Sequence, residues 1–191
     1  MIRFAPTMDA NGRRPGFYLV LCALALCMPG CVRAQSLTLA LSGNLVTWTN
    51  ATGNPLTPGS ATNNGSAPIV VTTAWTNLNP GQNGNLSVWS YFSSATAALA
   101  HLSACGAGCP NIPSSAVEMR VNGGPLSPVN QTGPFGAAGA ARQVFAVRIS
   151  GSNKTGVEVD TLALNINLST LPGLPADSYS GTLFIQAQAV P

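Results

Sequence analysis

The chain has very little charge. Only 7% of its 191 residues are Asp, Glu, Lys or Arg, whereas roughly 25% is usual for soluble domains. The formal net charge of +3 comes from arginines in the first 34 residues, because beyond them four cationic side chains stand against four carboxylates. A nucleic-acid-binding protein needs a basic patch that neutralises phosphates. This composition therefore excludes nucleic acid as a partner.

Histidine and carboxylates are also scarce. A Ser–His–acid triad would have to use His101, the only histidine, and no GxSxG motif accompanies it. A glycosidase needs two carboxylates with separate roles, and only Glu118, Glu158, Asp160 and Asp177 follow residue 34. We expect no enzyme, no catalytic residue and no cofactor. A secreted hydrolase is the most distant of the functions considered.

No hydrophobic run is long enough to span a membrane. The longest, residues 17–28, has 12 apolar residues, and a membrane-spanning helix needs about 20. Arginines precede this run and Val-Arg-Ala follows it, which is the order of a secretory signal peptide. We predict a leader over residues 1–34, cleavage between Ala34 and Gln35, and no transmembrane anchor in the mature chain. A lipoprotein cut at Cys31 is the alternative.

Few cysteines remain after the leader. Cys105 and Cys109 are the only two, separated by Gly-Ala-Gly. An isolated pair in an oxidising compartment predicts a disulfide, and the glycines allow the tight turn that it needs. Zinc requires four ligands, and His101 would leave this group one short. We therefore expect a structural disulfide and no metal.

Helical periodicity is nearly absent, since only residues 93–103 are compatible with a short helix. Apolar and polar residues alternate instead in short runs separated by Gly, Pro and Asn-Gly turns, which is typical of strands. The runs cover residues 37–41, 45–49, 69–75, 86–92, 116–121, 144–149, 161–168 and 179–189. Residues 133–141 are expected to form a flexible loop. We predict an all-β fold, an antiparallel β-sandwich of about seven to nine short strands, as one domain over residues 35–191.

Two groups of side chains are candidates for binding. Trp89 and Tyr91 lie opposite the apolar face of their strand and are positioned to stack on sugar rings, whereas Trp75 shares its face with core residues. Glu158 and Asp160 share one strand face. We expect this face to be a solvated strand edge that discourages edge pairing; the alternative is that the two carboxylates supply part of a Ca²⁺ site.

The C-terminal residues 174–185 read LPADSYSGTLFI. This segment resembles the closing segment of bacterial spore-coat-protein-U-like and archaic chaperone–usher pilin domains. The resemblance implies an immunoglobulin-like sandwich that lacks one strand, which a neighbouring subunit donates. Leu37, Leu39 and Leu41 would form the donor strand; the alternative is that this strand pairs within its own domain.

These observations together predict a secreted, non-enzymatic structural or adhesive subunit, pilin-like or coat-like, on the cell surface or outside the cell. It would reach that location through a periplasm. Its expected partners are further copies of itself or a periplasmic chaperone. The alternative is a monomeric extracellular module that binds carbohydrate or another surface.

Overall fold

The computed structural model describes residues 35–42, 56–79, 84–101, 109–175 and 179–190. All of these residues belong to one compact unit, Arg33–Pro191. The predicted leader, Cys105, Trp48 and the predicted strand at 45–49 lie outside the described residues. Predictions that concern them therefore stay predictions.

The described residues form ten strands and one short 3₁₀ turn. Three strands (β4, β6 and β9) are only two residues long. In chain order the strands are β1 Ser36–Ser42, β2 Ile69–Thr76, β3 Asn85–Tyr91, β4 Ala100–His101, β5 Val117–Val121, β6 Ser127–Pro128, β7 Ala141–Arg148, β8 Gly156–Ile166, β9 Tyr179–Ser180 and β10 Phe184–Val190, and the 3₁₀ turn Ser114–Ala116 precedes β5.

The strands form antiparallel sheets. The larger sheet has the order β1-β2-β8-β5-β6, the second has the order β10-β3-β7, and β4 pairs with β9. Side chains of both large sheets enter one core, where Val71 and Leu162 of the first sheet meet Val88 of the second. The predictions of an all-β fold and an antiparallel sandwich are confirmed. The immunoglobulin-like topology stays a prediction.

Strand β8 shows most clearly why these residues form strands. Leu162, Leu164 and Ile166 alternate with outward residues and are all buried. Since full burial of one such side chain contributes about 1.5–3 kcal/mol, these residues and Leu168 together fix which face of β8 points inward. A slip of one residue would expose all of them.

Because of this register, carboxylates point inward and valines point outward in the first half of β8. Glu158 and Asp160 have the same parity as the buried leucines, and Asp160 is 2% exposed. Val157 and Val159 point outward instead and are exposed. The expectation of a solvated strand edge is therefore wrong for Asp160, because its side chain follows the inward register and is buried, whereas Glu158 is half-buried.

The predicted helix at residues 93–103 is also wrong over its described part. The Ser94 hydroxyl accepts a hydrogen bond from the Ala97 backbone N–H at 3.1 Å, as a helix cap would, but no helix follows. Leu99 instead exchanges two backbone hydrogen bonds with Ile112, of 3.1 and 2.9 Å. This isolated bridge keeps the chain extended just before β4, which itself pairs with β9, and Ala98 and Leu99 are buried in the core.

The glycine- and alanine-rich segment 133–141 is held in place at both ends. The backbone N–H of Ala137 donates to the carbonyl of Phe92 at 3.2 Å, and that of Phe92 donates to the carbonyl of Ala140 at 2.9 Å. Gly136 and Gly139 have φ values of 77° and 73°, which favour glycine. The segment is a packed turn over β3 rather than the flexible loop expected.

The turn at Asn122-Gly123 is confirmed. Both residues have positive φ, 51° and 75°, and the N–H of Gly124 donates to the carbonyl of Val121 at 2.9 Å. Two consecutive positive φ values are the geometry for which Asn-Gly is preferred.

No helix in the described part of the chain is long and apolar enough to cross a membrane.

Candidate functional site

Strand β1, which carries the predicted donor residues, lies at the edge of the larger sheet. It pairs antiparallel with β2 along its whole length, from Ser36 opposite Thr76 to Ser42 opposite Val70. Among the described strands only β2 pairs with it. One ladder of backbone hydrogen bonds therefore holds β1, as is usual for an edge strand.

The leucines of β1 point inward but are incompletely covered. Leu39 packs against the main core, and Leu37 packs against a second cluster that contains Trp75. Both are half-buried, and Leu41 is 48% exposed. The three residues thus form the inner face of one strand, as the alternation predicts, but the side of the sandwich at which they lie is open.

The structure pairs β1 within its own chain, which is the alternative that the sequence left open. In this arrangement β1 covers the edge of β2 beside the buried Val71 and Trp75.

The second candidate site is the outer face of the smaller sheet. Trp89 and Tyr91 of β3 point away from the core, while Leu86 and Val88 point into it. On β10, Gln186 lies opposite Trp89 and Phe184 lies opposite Tyr91. The predicted pair therefore shares one face with neighbouring aromatic and amide side chains.

Trp89 and Tyr91 are only half-buried, but each already has close neighbours. The Trp89 indole N–H donates to the Ser87 hydroxyl at 3.2 Å, and Gly133 lies against the indole ring, where a Cβ would approach Cε3 to 2.8 Å. The Tyr91 hydroxyl donates to Oε1 of Gln186 at 3.1 Å. Glycine at position 133 is thus required by the approach of the loop to Trp89.

Phe184 is the residue of this face that the sequence interpretation did not select. Its ring stacks on Tyr91 with centroids 5.3 Å apart and an angle of 18°, and Phe135 lies 5.9 Å from Tyr91 on a tilted ring. Phe184 is 41% exposed and is the most accessible ring of this aromatic face. Its parity, opposite to Ile185 in an alternating strand, is the signal that could have identified it.

Trp75 is a core residue, as its parity with Ile69 and Val71 predicted. It is 6% exposed, and its indole N–H donates to the carbonyl of Asn153 at 2.9 Å. Gly156 lies against the ring so closely that a Cβ there would collide with it. Trp75 is therefore not a ligand-stacking residue.

A buried polar network lies on the other face of β8. The Asn165 amide donates to the Glu118 carboxylate at 2.8 Å and to the carbonyl of Ala61 at 3.0 Å, and its oxygen accepts the Asn63 N–H at 2.7 Å. Asn167 donates to the other carboxylate oxygen at 3.0 Å. Asn165 points away from the core, as predicted, yet it is 1% exposed because the segment around Asn63 covers it.

The carboxyl group of Asp160 is buried and has a perturbed pKa. Desolvation raises the pKa of its carboxyl, and a hydrogen bond from the Asn122 amide, 2.8 Å long, opposes this effect. The described residues contain no group of three or more His, Cys, Asp or Glu side chains that could hold a metal ion. Within them, the calcium alternative at Glu158 and Asp160 therefore has no third ligand of these types.

The remaining predicted residues lie near β4. His101 pairs with Tyr179 of β9, and its backbone N–H donates to Oδ1 of Asn111 at 3.2 Å. Cys109 is described but Cys105 is not, so the Cys105–Cys109 disulfide stays a prediction.

No protein-family model, no curated protein and no solved structure matches this chain.

Proposed function

We propose that this protein is a secreted, non-enzymatic structural or adhesive surface subunit, pilin-like or coat-like, which assembles by donating β1 to a neighbouring copy. The observation that supports this most directly is the position of β1. Among the described strands only β2 pairs with it, and its leucines are incompletely covered. The resemblance of residues 174–185 to spore-coat-protein-U-like domains points to the same mode of assembly.

Exchange of β1 between copies would conserve nearly all of its contacts. The ladder to β2 and the packing of Leu37 and Leu39 would be identical whether the strand comes from the same chain or another. Exchange of an identical element is a route to oligomers of low energetic cost. The balance between the two forms would then depend on the segment between β1 and β2 and on protein concentration.

An acceptor chain whose own β1 has left needs protection. Removal of β1 would uncover the edge of β2, beside the buried Val71 and Trp75, and an uncovered edge with an apolar face is prone to aggregation. A periplasmic chaperone that fills this gap until the next subunit arrives would meet that need. The predicted leader, residues 1–34, would bring the chain to the compartment where such a chaperone acts.

Leu39→Asp tests the proposal. The protein is expressed with its leader into a bacterial periplasm, and the mature product is measured by size exclusion with light scattering and by SDS electrophoresis without boiling. We expect the wild type to form SDS-resistant multimers. Leu39→Asp should remove them, because a charged group would have to enter the apolar gap beside Thr73, at a cost of several kcal/mol.

Ala40→Asp is the matched control. Ala40 is exposed on the outer side of the same strand, so this change adds the same charge without entering the gap, and multimers should persist. The opposite result is a wild type that stays monomeric at all concentrations and a Leu39→Asp protein that differs from it only by a lower melting temperature. This result would show that β1 stays within its own domain. The donation proposal would then fail.

Binding of glycans by a monomer is the second candidate function, and the aromatic face favours it. Sugar rings stack on flat aromatic surfaces, and the polar side chains of Gln186 and Gln143 flank the rings of this face. The exposed ring of Phe184 offers the stacking surface and packs on Tyr91, and Trp89 lies beside Tyr91 on the same face of β3.

Phe184→Ala and Trp89→Ala test this second function on a glycan array with purified mature protein. Loss of binding by tenfold or more in both variants, with unchanged melting temperatures, is expected if the face binds glycans. Leu41→Ala, an exposed apolar position outside this face, should leave retention unchanged. If all three variants and the wild type bind the glycan array equally, the aromatic face is ruled out as the glycan-binding site.

A further inference from the structure

The outer face of the larger sheet has an unusual composition over three adjacent strands. Every outward-pointing residue of β1, β2 and the facing half of β8 is Ser, Thr, Ala or Val. We call this surface the threonine–valine face; its residues are Ser36, Thr38, Ala40, Ser42, Val70, Thr72, Ala74, Thr76, Val157, Val159 and Thr161. Within it there is no charged side chain, no amide and no aromatic ring.

Two valines of this face are strongly exposed. Val157 is 63% exposed and Val159 is 54% exposed, which are the highest values among the exposed large hydrophobic residues of the described chain. The leucines of β8 force them outward, as the register shows. Contiguous exposed apolar patches mark interaction surfaces, and these two valines are adjacent on the outer side of β8, with Val70 and Ala74 on the same face of β2.

Large and small side chains are distributed over the threonine–valine face so that it is complementary to a second copy of the same face. The pairing registers place Val157 in a row with Ala74 and Thr38, and Val159 in a row with Thr72 and Ala40. The β8 side of the face therefore carries large side chains, and the β1 side carries small ones. A twofold axis parallel to β2 and between the two faces would set Val157 and Val159 of one copy over Thr38 and Ala40 of the other, because a twofold interface brings each patch against its own image.

Charge does not oppose such a contact. Lys and Arg equal Asp and Glu after residue 34, and none of them lies on the threonine–valine face. Packed sheets stand about 10 Å apart, a distance at which a like-charged pair would be costly in a dry interface. Small β-branched side chains also lose little rotamer freedom when they are buried.

The size of the face sets the strength of the contact. Three strands about 4.8 Å apart, each about 24 Å long, cover roughly 300 Å² per copy. Stable complexes bury about 1,200–2,000 Å² in total, so two free copies would associate weakly and reversibly. Copies held in a row would associate strongly, because every additional contact becomes intramolecular.

We propose that the threonine–valine face is a self-association surface, on which a second copy of this chain packs face to face with Val157 and Val159 over the small residues of β1 and β2. The contact does not depend on strand donation, because a chain with β1 in its own domain presents the same face. If donation does occur, this surface would join neighbouring polymers side by side.

Val159→Lys tests the proposal by sedimentation equilibrium of the purified mature protein. The experiment is done on the monomeric fraction of the wild type, isolated by size exclusion, so that SDS-resistant multimers formed by strand donation are removed before face association is measured. In this fraction we expect a weight-average mass that rises from monomer toward dimer between roughly 10 μM and 1 mM, the range of a weak contact. Val159→Lys should abolish this rise, with an unchanged melting temperature because the residue is exposed.

Two further variants make the test specific. Val159→Thr keeps the β-branched shape and should retain most of the association, whereas Gln186→Lys adds the same charge to the other sheet and should have no effect. A mass that stays monomeric in every variant, or a Val159→Lys protein that associates like its parent, overturns the proposal. A third outcome would also overturn the proposal. If all the proteins are monomeric, and if the wild type binds neutral phosphatidylcholine vesicles but Val159→Lys does not, the face binds a lipid surface.

Discussion

At Asp160 the requirements of burial and charge conflict. The residue must follow the inward parity of Leu162, and its Oδ2 atom is buried with no hydrogen-bond partner in the described part of the chain. Asn122 compensates in part: its amide donates to Oδ1, its side-chain oxygen accepts the Thr161 N–H at 2.8 Å, and its own N–H donates to the Thr161 carbonyl at 2.9 Å. The carboxyl thereby helps to fasten the 122–123 turn to β8.

This conflict predicts how stability depends on pH. Since burial raises the pKa of Asp160 above its value of 3.8 in an unfolded chain, the folded protein binds the proton more tightly than the unfolded one. The contribution of Asp160 to the free energy of unfolding therefore rises as pH falls through the folded pKa toward 3.8, and it is lowest at neutral pH. Asp160→Asn should remove this rise and should be no less stable than the wild type at pH 7. Urea unfolding of both proteins from pH 7 to pH 4 measures it.

Glu158→Gln is the control for this experiment. It removes a carboxylate two residues away on the same face, so the rise caused by Asp160 should persist in that variant. An Asp160→Asn protein that is clearly less stable at pH 7, or that keeps the full pH dependence, would mean that the negative charge of Asp160 stabilises the fold.

At the scale of the elements, β1 and β8 are opposites. Strand β8 has eleven residues, lies between two partners and carries the buried leucines. Strand β1 has seven residues and lies at an edge of the sheet. Two of its three leucines are half-buried and the third, Leu41, is exposed. Local opening requires the least free energy where few apolar contacts and few paired backbone groups are lost. Strand β1 should therefore be the first of the long strands to detach.

Hydrogen exchange of the backbone amides measures this difference. In the monomeric form, amides of β1 should exchange at least tenfold faster than those of β8 that bond to β2 or β5, since opening of β1 leaves the rest of the sandwich intact. In multimers assembled by donation, protection of β1 should approach that of β8. Equal protection in the monomer would show that β1 unfolds only with the whole domain, which would make strand exchange slow.

At the scale of the whole molecule, alternation in the sequence predicts the sandwich well. The inward faces of β2 and of the second half of β8 follow from period two alone. In each of them three buried apolar residues share one parity: Ile69, Val71 and Trp75 in β2, and Leu162, Leu164 and Ile166 in β8. The roles of Trp75 and of the Asn122-Gly123 turn follow in the same way, from parity and from backbone preference.

The errors arise where contacts distant in sequence decide. The helix at 93–103 fails because Leu99 bonds to Ile112. Asn165 is buried because the segment around Asn63 folds over it, and the outward valines at 157 and 159 result from leucines further along the strand. Phe184 could be predicted to point outward, but its stacking on Tyr91 depends on which strands are neighbours, and a single sequence does not contain that information.

The start of β1 and the end of β10 lie close together in the fold. Leu37, near the start of β1, and Ala189, near the end of β10, pack against the same cluster around Trp75. The Asn-Gly turn at 122–123 lies toward the other end of the larger sheet, because Val121 is in register with Leu162 and Ile69, and Ile69 is six residues from Trp75 along β2. A tag fused directly before β1 or after β10 would therefore leave the sandwich at the Trp75 end, away from the Asn-Gly turn.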